Sequence, residues 1–176
     1  MAVQDNISTI ICNVITINKD PLKEKIKPII NQLEKVFEEN KEAILNANKI
    51  DQKNRNGFLI DFDHLNRIFS NVKQEPIPYG EVILSQKDDE KQIIYGIQKM
   101  DYGTVLVIHD GDPYILLEMA IRNLMAGNAT IFSNHGFMYG TNQLFIQIFQ
   151  NVLKQFQISK YFVQLYITEN FDEILG

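Results

Sequence analysis

Two short stretches hold the residue types that could do chemistry, His109-Asp110-Gly111-Asp112-Pro113 and Ser133-Asn134-His135-Gly136. Each joins glycine, which lets a ligand approach the backbone, to short polar side chains and one imidazole. Gly111, Asp112, Ser133, Asn134, His135 and Gly136 are therefore the candidate binding residues, and a nucleotide is the ligand class that suits them. Neither G-x-G-x-x-G nor G-x-x-x-x-G-K-[ST] occurs, so the common phosphate cradles are missing. Asp112 puts a negative charge where a helix N-terminus would otherwise attract phosphate. No acidic residue or lysine closely follows the second stretch to hold an adenosine ribose.

Other chemistry finds less support. His109 and His135 near Asp110 match no zinc-ligand spacing, and no metal site is assigned. His64, flanked by Asp61 and Asp63, reads as a surface residue. The single cysteine, Cys12, lies in an apolar run without the electropositive setting that generates a thiolate, and reads as a small buried hydrophobe. No catalytic residue is assigned.

The two stretches need elements to position them. Two β-branched runs, 104–108 and 129–132, end just before them and flank a segment with helical spacing. Parallel strands require such a crossover. The first run is nearly continuous in apolar residues, as expected for a strand covered on both faces. Asp112 is placed as an N-cap, with Pro113 at the first helical position and Gly127 just past the end. Ile115, Leu116, Met119, Ala120, Asn123 and Leu124 form the face turned to the sheet. Thr141 or Asn142 then caps a second helix, whose apolar face is Leu144, Phe145, Ile148, Phe149, Val152, Leu153 and Phe156. A third strand follows at 162–167, and 168–175 begins another helix.

Upstream, the spacing predicts a helix over 7–17. Asp20-Pro21 starts a long one to about residue 50, bent near Pro28 because proline removes a donor and crowds the preceding turn. Residues 54–57 form a turn, and 58–72 a shorter helix with Leu59, Phe62, Leu65 and Ile68 inward. Strands at 81–85 and 92–98 flank the polar turn Lys87-Asp88-Asp89-Glu90, a β-hairpin. Its edges must be paired, covered or defended, so the ribbon is expected to build an oligomer.

The sum is an α/β fold with a doubly wound, mostly parallel sheet, helices on both faces, an N-terminal helical segment and a β-hairpin. One domain, 1–176, divides into N-terminal helices (1–75), the hairpin (79–100) and the crossover unit (103–176). The 176 residues suffice for a substantial core, and none of the apolar runs approaches the roughly 20 residues of a membrane span. No basic stretch precedes 7–17, which excludes a secretory signal. A formal net charge of -5 argues against nucleic acid. One cysteine excludes an internal disulfide and fits a reducing cytoplasm.

From about Pro21 onward the order of segments resembles the aldehyde dehydrogenase superfamily, in particular the amino-terminal part of the γ-glutamyl phosphate reductase family. The resemblance is carried by Ile44-Leu45-Asn46-Ala47-Asn48 with Asp51, Asn56-Gly57, Gly80-Glu81-Val82, Tyr102-Gly103-Thr104-Val105, Ala126-Gly127-Asn128-Ala129 and Val163-Gln164-Leu165. It implies an NAD- or NADP-binding domain, with the hairpin acting in oligomerisation. Such enzymes use a cysteine thiolate to form a thiohemiacetal or thioester, and hydride passes to or from the nicotinamide.

The departures from that family shape the expectation. Its catalytic cysteine belongs to a second domain, which has no counterpart in this sequence. Cys12-Asn13 copies the family's Cys-Asn pair at the wrong end of the chain. Where these reductases carry Ser-Arg-Pro, this chain has Gly111-Asp112-Pro113, an anion for a cation. The basic, glycine-rich stretch after the second strand is replaced by Ser133-Asn134-His135-Gly136-Phe137. The expectation is a partial cofactor domain, inactive alone, with NAD or NADP bound weakly or lost; a separate chain or a downstream segment would supply the second domain, and the 79–100 hairpin would join a homo-oligomer or a separate catalytic-domain chain. The alternative is a non-catalytic interaction module that keeps the fold.

Overall fold

Apolar residues recurring at helical spacing produce three helices ahead of the sheet. In the computed structural model, which describes residues 22–54, 58–134 and 138–167, these are α1 (Leu22–Glu39), α2 (Lys41–Asn54) and α3 (Phe62–Gln74). Pro28 lies inside α1, and the single long helix expected to about residue 50 is divided at Asn40. The Asn40 side chain donates to the Val36 carbonyl at 2.8 Å, competing with its own backbone amide for that acceptor. α3 starts later than its apolar spacing suggests, because Asp61 caps it by accepting from the Asp63 amide at 2.9 Å. Leu59 therefore precedes the helix and is 63% exposed, not inward.

The hairpin is present as β1 (Val82–Asp88) paired antiparallel with β2 (Ile93–Gln98), with Gln86 opposite Tyr95 and a bulge between Val82 and Leu84. Its root is tied to the body. The Tyr79 amide donates to the Met125 carbonyl at 3.3 Å, and the Lys23 ammonium to the Gly80 carbonyl at 2.7 Å.

The crossover unit runs β3 (Thr104–His109), α4 (Pro113–Met125), β4 (Ala129–Asn134), α5 (Tyr139–Gln155), a 3-10 turn (Lys160–Phe162) and β5 (Val163–Ile167). The strands are parallel in the order β3-β4-β5, with Val107 beside Phe132 and Phe132 beside Leu165. Central β4 is buried from Ala129 to Ser133. Among the described strands β3 lies at the edge, and the expectation that both its faces are covered fails: Leu106 is 40% and Ile108 47% exposed, alternating with half-buried Val105 and Val107. On α4 the buried stripe is Leu116–Leu117, Ala120–Ile121 and Leu124–Met125, because the helix packs on α1 and α3 as well as on the sheet. Ile115, expected to face the sheet, is exposed.

Phe37 of α1 meets Phe145 of α5 edge to face at 4.8 Å and Phe69 of α3 at 5.7 Å, joining the helical layer to the crossover. No helix among the described residues is long and apolar enough to cross a membrane. The helices expected at 7–17 and 168–175 lie outside the described residues.

Candidate functional site

At the carboxyl end of β3 the chain turns sharply through Gly111, whose φ of +102° favours glycine. The turn is fixed from several sides. The Gly111 amide donates to His109 Nδ1 at 3.2 Å, and the Asp112 amide to the Asp110 carboxylate at 3.3 Å. Asn142 of α5 donates to the Gly111 carbonyl at 2.7 Å. Asp112 is the N-cap of α4, as its sequence position before Pro113 indicates, and accepts from the Tyr114 amide at 2.8 Å.

His109 is 7% exposed and meets Phe132 edge to face at 5.7 Å. Burial pushes its pKa below the usual histidine value, while Asp110 and Asp112 pull it back in part. Because Nδ1 accepts the Gly111 hydrogen bond, the neutral ring carries its proton on Nε2, which is buried without a partner. That arrangement makes His109 a prop for the turn. No group of three or more metal-binding side chains occurs among the described residues.

At the end of β4, Ser133 is buried with its hydroxyl unpaired and sits beside Ile108. The Asn134 backbone lies beside His109, which brings the two strand ends together. His135 and Gly136 lie outside the described residues.

The N-terminus of α5 departs from expectation. Thr141 and Asn142 lie within the first turn and do not cap it, and Met138 at the N-cap position has left-handed backbone geometry (φ 53°) with no side-chain cap. The cap comes from Asp51 of α2, which accepts from the Gly140 amide at 3.0 Å, the Thr141 amide at 2.8 Å and the Thr141 hydroxyl at 2.7 Å. One turn earlier on α2, Asn48 accepts from the Ile60 amide at 3.0 Å and donates to the Phe58 carbonyl at 3.2 Å. The sequence carried a signal for this pair: two polar residues three apart share one helix face.

Beside α4, the Tyr114 ring stacks on Phe58 at 5.5 Å and on His64 at 4.2 Å, and its hydroxyl accepts from the Asp61 amide. His64 is exposed, as expected. The described residues at this end of the sheet thus include two helix termini, two strand ends and several carboxylates, with no nucleophile–base pair.

Among known proteins, no family model matches the chain. A γ-glutamyl phosphate reductase of Psychrobacter arcticus is 31% identical over 143 residues, 74% of this chain and 33% of the relative. The crystal structure of γ-glutamyl phosphate reductase from Thermotoga maritima superposes with a TM-score of 0.79 at 20% identity, covering 97% of this chain and 44% of that one. A probable aldehyde dehydrogenase from Listeria monocytogenes gives 0.69 at 13% identity, over 96% of this chain and 38% of that one. Glyceraldehyde-3-phosphate dehydrogenase GapN from Methanocaldococcus jannaschii, solved with NADP, gives 0.62 at 16% identity, over 94% and 36%. The chain spans about a third of the length of the curated relative it matches, and less than half of each of these structures.

Proposed function

We propose that this chain, a γ-glutamyl phosphate reductase-like protein with the aldehyde dehydrogenase fold, is a partial cofactor domain of an NAD(P)-dependent oxidoreductase of that kind, its own hold on NAD or NADP weak or lost, and inactive by itself. The reading rests on the β3–α4–β4–α5–β5 crossover with its adjoining ribbon, matched across 97% of the chain by a γ-glutamyl phosphate reductase structure. A cysteine thiolate and most of the hydride-transfer site would come from another polypeptide or segment, acting in the cytoplasm. The assay is glutamate-5-semialdehyde oxidation with NAD or NADP by the isolated chain. No turnover is expected. Turnover that survives Cys12→Ala overturns the reading.

A second reading, a non-catalytic assembly module, is favoured by the ribbon itself. Val82, Ile83 and Leu84 on β1 and Ile93, Ile94, Tyr95 and Ile97 on β2 are all exposed, a large apolar area on two open edges. We propose that the ribbon pairs with a second copy or with a chain bearing the catalytic domain. Light scattering on the intact chain tests this. A proline at Ile94 should lower the mass of any homo-oligomer, and an unchanged mass counts against the ribbon as its interface.

A further inference from the structure

The dehydrogenase-type reading, on which this inference rests, implies a dinucleotide, and the described residues do not fit its phosphates. We infer that the chain's own carboxylates close both helix N-termini at this end of the sheet, so that NAD or NADP is not held here by phosphate.

A helix N-terminus binds phosphate because its first amides lack partners and carry the positive end of the helix dipole. Here the chain's own groups take most of those amides, and carboxylates answer the dipole at both termini. At α4 the Tyr114 amide is taken by Asp112, the Asp112 amide by Asp110 and the Gly111 amide by His109. At α5 the Gly140 and Thr141 amides and the Thr141 hydroxyl are taken by Asp51, and the Asn142 amide by the Met138 carbonyl. Gly140 marks how closely the carboxylate sits: a Cβ there would lie 3.1 Å from Asp51 Oδ1.

Charge points the same way. Between Lys99 and Lys154 the sequence contains a single lysine or arginine, Arg122. That residue lies in the last turn of α4, paired with Glu118 and Glu75. The only imidazole described at the strand ends, His109, is buried and biased to its neutral form. An incoming pyrophosphate would meet Asp51, Asp110 and Asp112 with no guanidinium or ammonium from residues 100–121 or 123–153 to offset them, and Arg67, near Tyr114, is paired with Asp61.

The test is calorimetric titration of the intact chain with NADH, NADPH and inorganic pyrophosphate, beside Asp112→Ser and Asp112→Ser with Asp51→Asn. Serine keeps a capping oxygen and removes the charge, and a melting curve confirms that each variant folds. The natural chain should show no saturation up to about 10 mM. The variants should bind pyrophosphate about two- to fivefold more tightly per charge removed, as expected for a charge at a helix terminus. Micromolar binding of either dinucleotide by the natural chain overturns the inference. So does a folded Asp112→Ser chain that gains nothing, which keeps the test valid even if the double variant fails to fold. The outcome is separate from the enzymatic assay and the mass measurement, which decide the underlying reading.

Discussion

Asp51, in the last turn of α2, caps α5 through the amide of Gly140, 89 positions further along the chain. The same carboxylate also takes the amide and hydroxyl of Thr141, so one side chain fastens the helical layer to the crossover. Asp51→Ala should cost about 2 kcal/mol, the upper end for a helix cap, because two amides and a hydroxyl lose their acceptor. Asp51→Asn, which keeps an acceptor oxygen, should cost less. Urea unfolding at constant m-value measures both, and a cost below about 0.5 kcal/mol for alanine would show that water replaces the cap.

Gly127 ends α4 with φ +77°, and a Cβ built there would lie 2.3 Å from Cδ2 of Tyr79. Gly127→Ala should therefore destabilise by at least about 2 kcal/mol, summing left-handed backbone strain and a steric clash. Adding Tyr79→Ala removes the clash and leaves the strain, so the two costs should not add. Additivity in the double-mutant cycle would place the tyrosine ring elsewhere.

The buried His109 gives stability a pH dependence with a definite sign. Its folded pKa lies below the usual 6.5, so between those two values the unfolded chain binds the extra proton. The contribution is complete above the unfolded value, falls as the pH drops through the window beneath it, and levels off below the folded value. Unfolding by urea at pH 7.5 and 5.5 should show a loss that His109→Gln abolishes. The two chains differ only at this position, so the difference isolates His109. An equal loss in the variant would rule the assignment out.

Leu106 and Ile131 are cross-strand neighbours with opposite surroundings, one 40% exposed on the edge strand and the other 2% exposed at the centre. Leu106→Ala should cost about 1 kcal/mol or less, and Ile131→Ala about 2–5 kcal/mol. Equal losses would mean that something covers β3 in solution, which comparison at low and high protein concentration would reveal.

Local chemistry was readable from the residues themselves. Asp112, Pro113 and Gly127 bracket α4 as cap residues should, and Phe145, Phe149 and Val152 line the inner face of α5 as their spacing required. Relations between distant segments were not. An apolar run such as 104–108 has the same pattern whether it lies centrally or at an edge, and the strand order alone decides that. The start of α3 was misplaced for a related reason, since Phe58 and Leu59 continue the apolar spacing but Asp61 supplies the cap. In the site, Asp112 announced its role through the proline after it. Asp51 gave no local sign of its target, because a cap supplied by another helix leaves no motif around the helix it serves. Asn48 and Asp51 belong to a family-like stretch of the sequence, and only the fold shows that each satisfies backbone groups of another segment.

The same distant cap has a kinetic consequence. Closing a loop between such distant segments costs chain entropy before the contact repays it, so α5 is expected to form its first turn before the carboxylate reaches it. In that order of events Asp51 would act on the exit from the native state and not on the approach to it. In a chevron experiment Asp51→Ala should steepen nothing and leave the refolding rate nearly unchanged, while unfolding quickens by about the full factor of its stability loss. A slowed refolding limb would show instead that α2 and the head of α5 dock early, inside the folding nucleus.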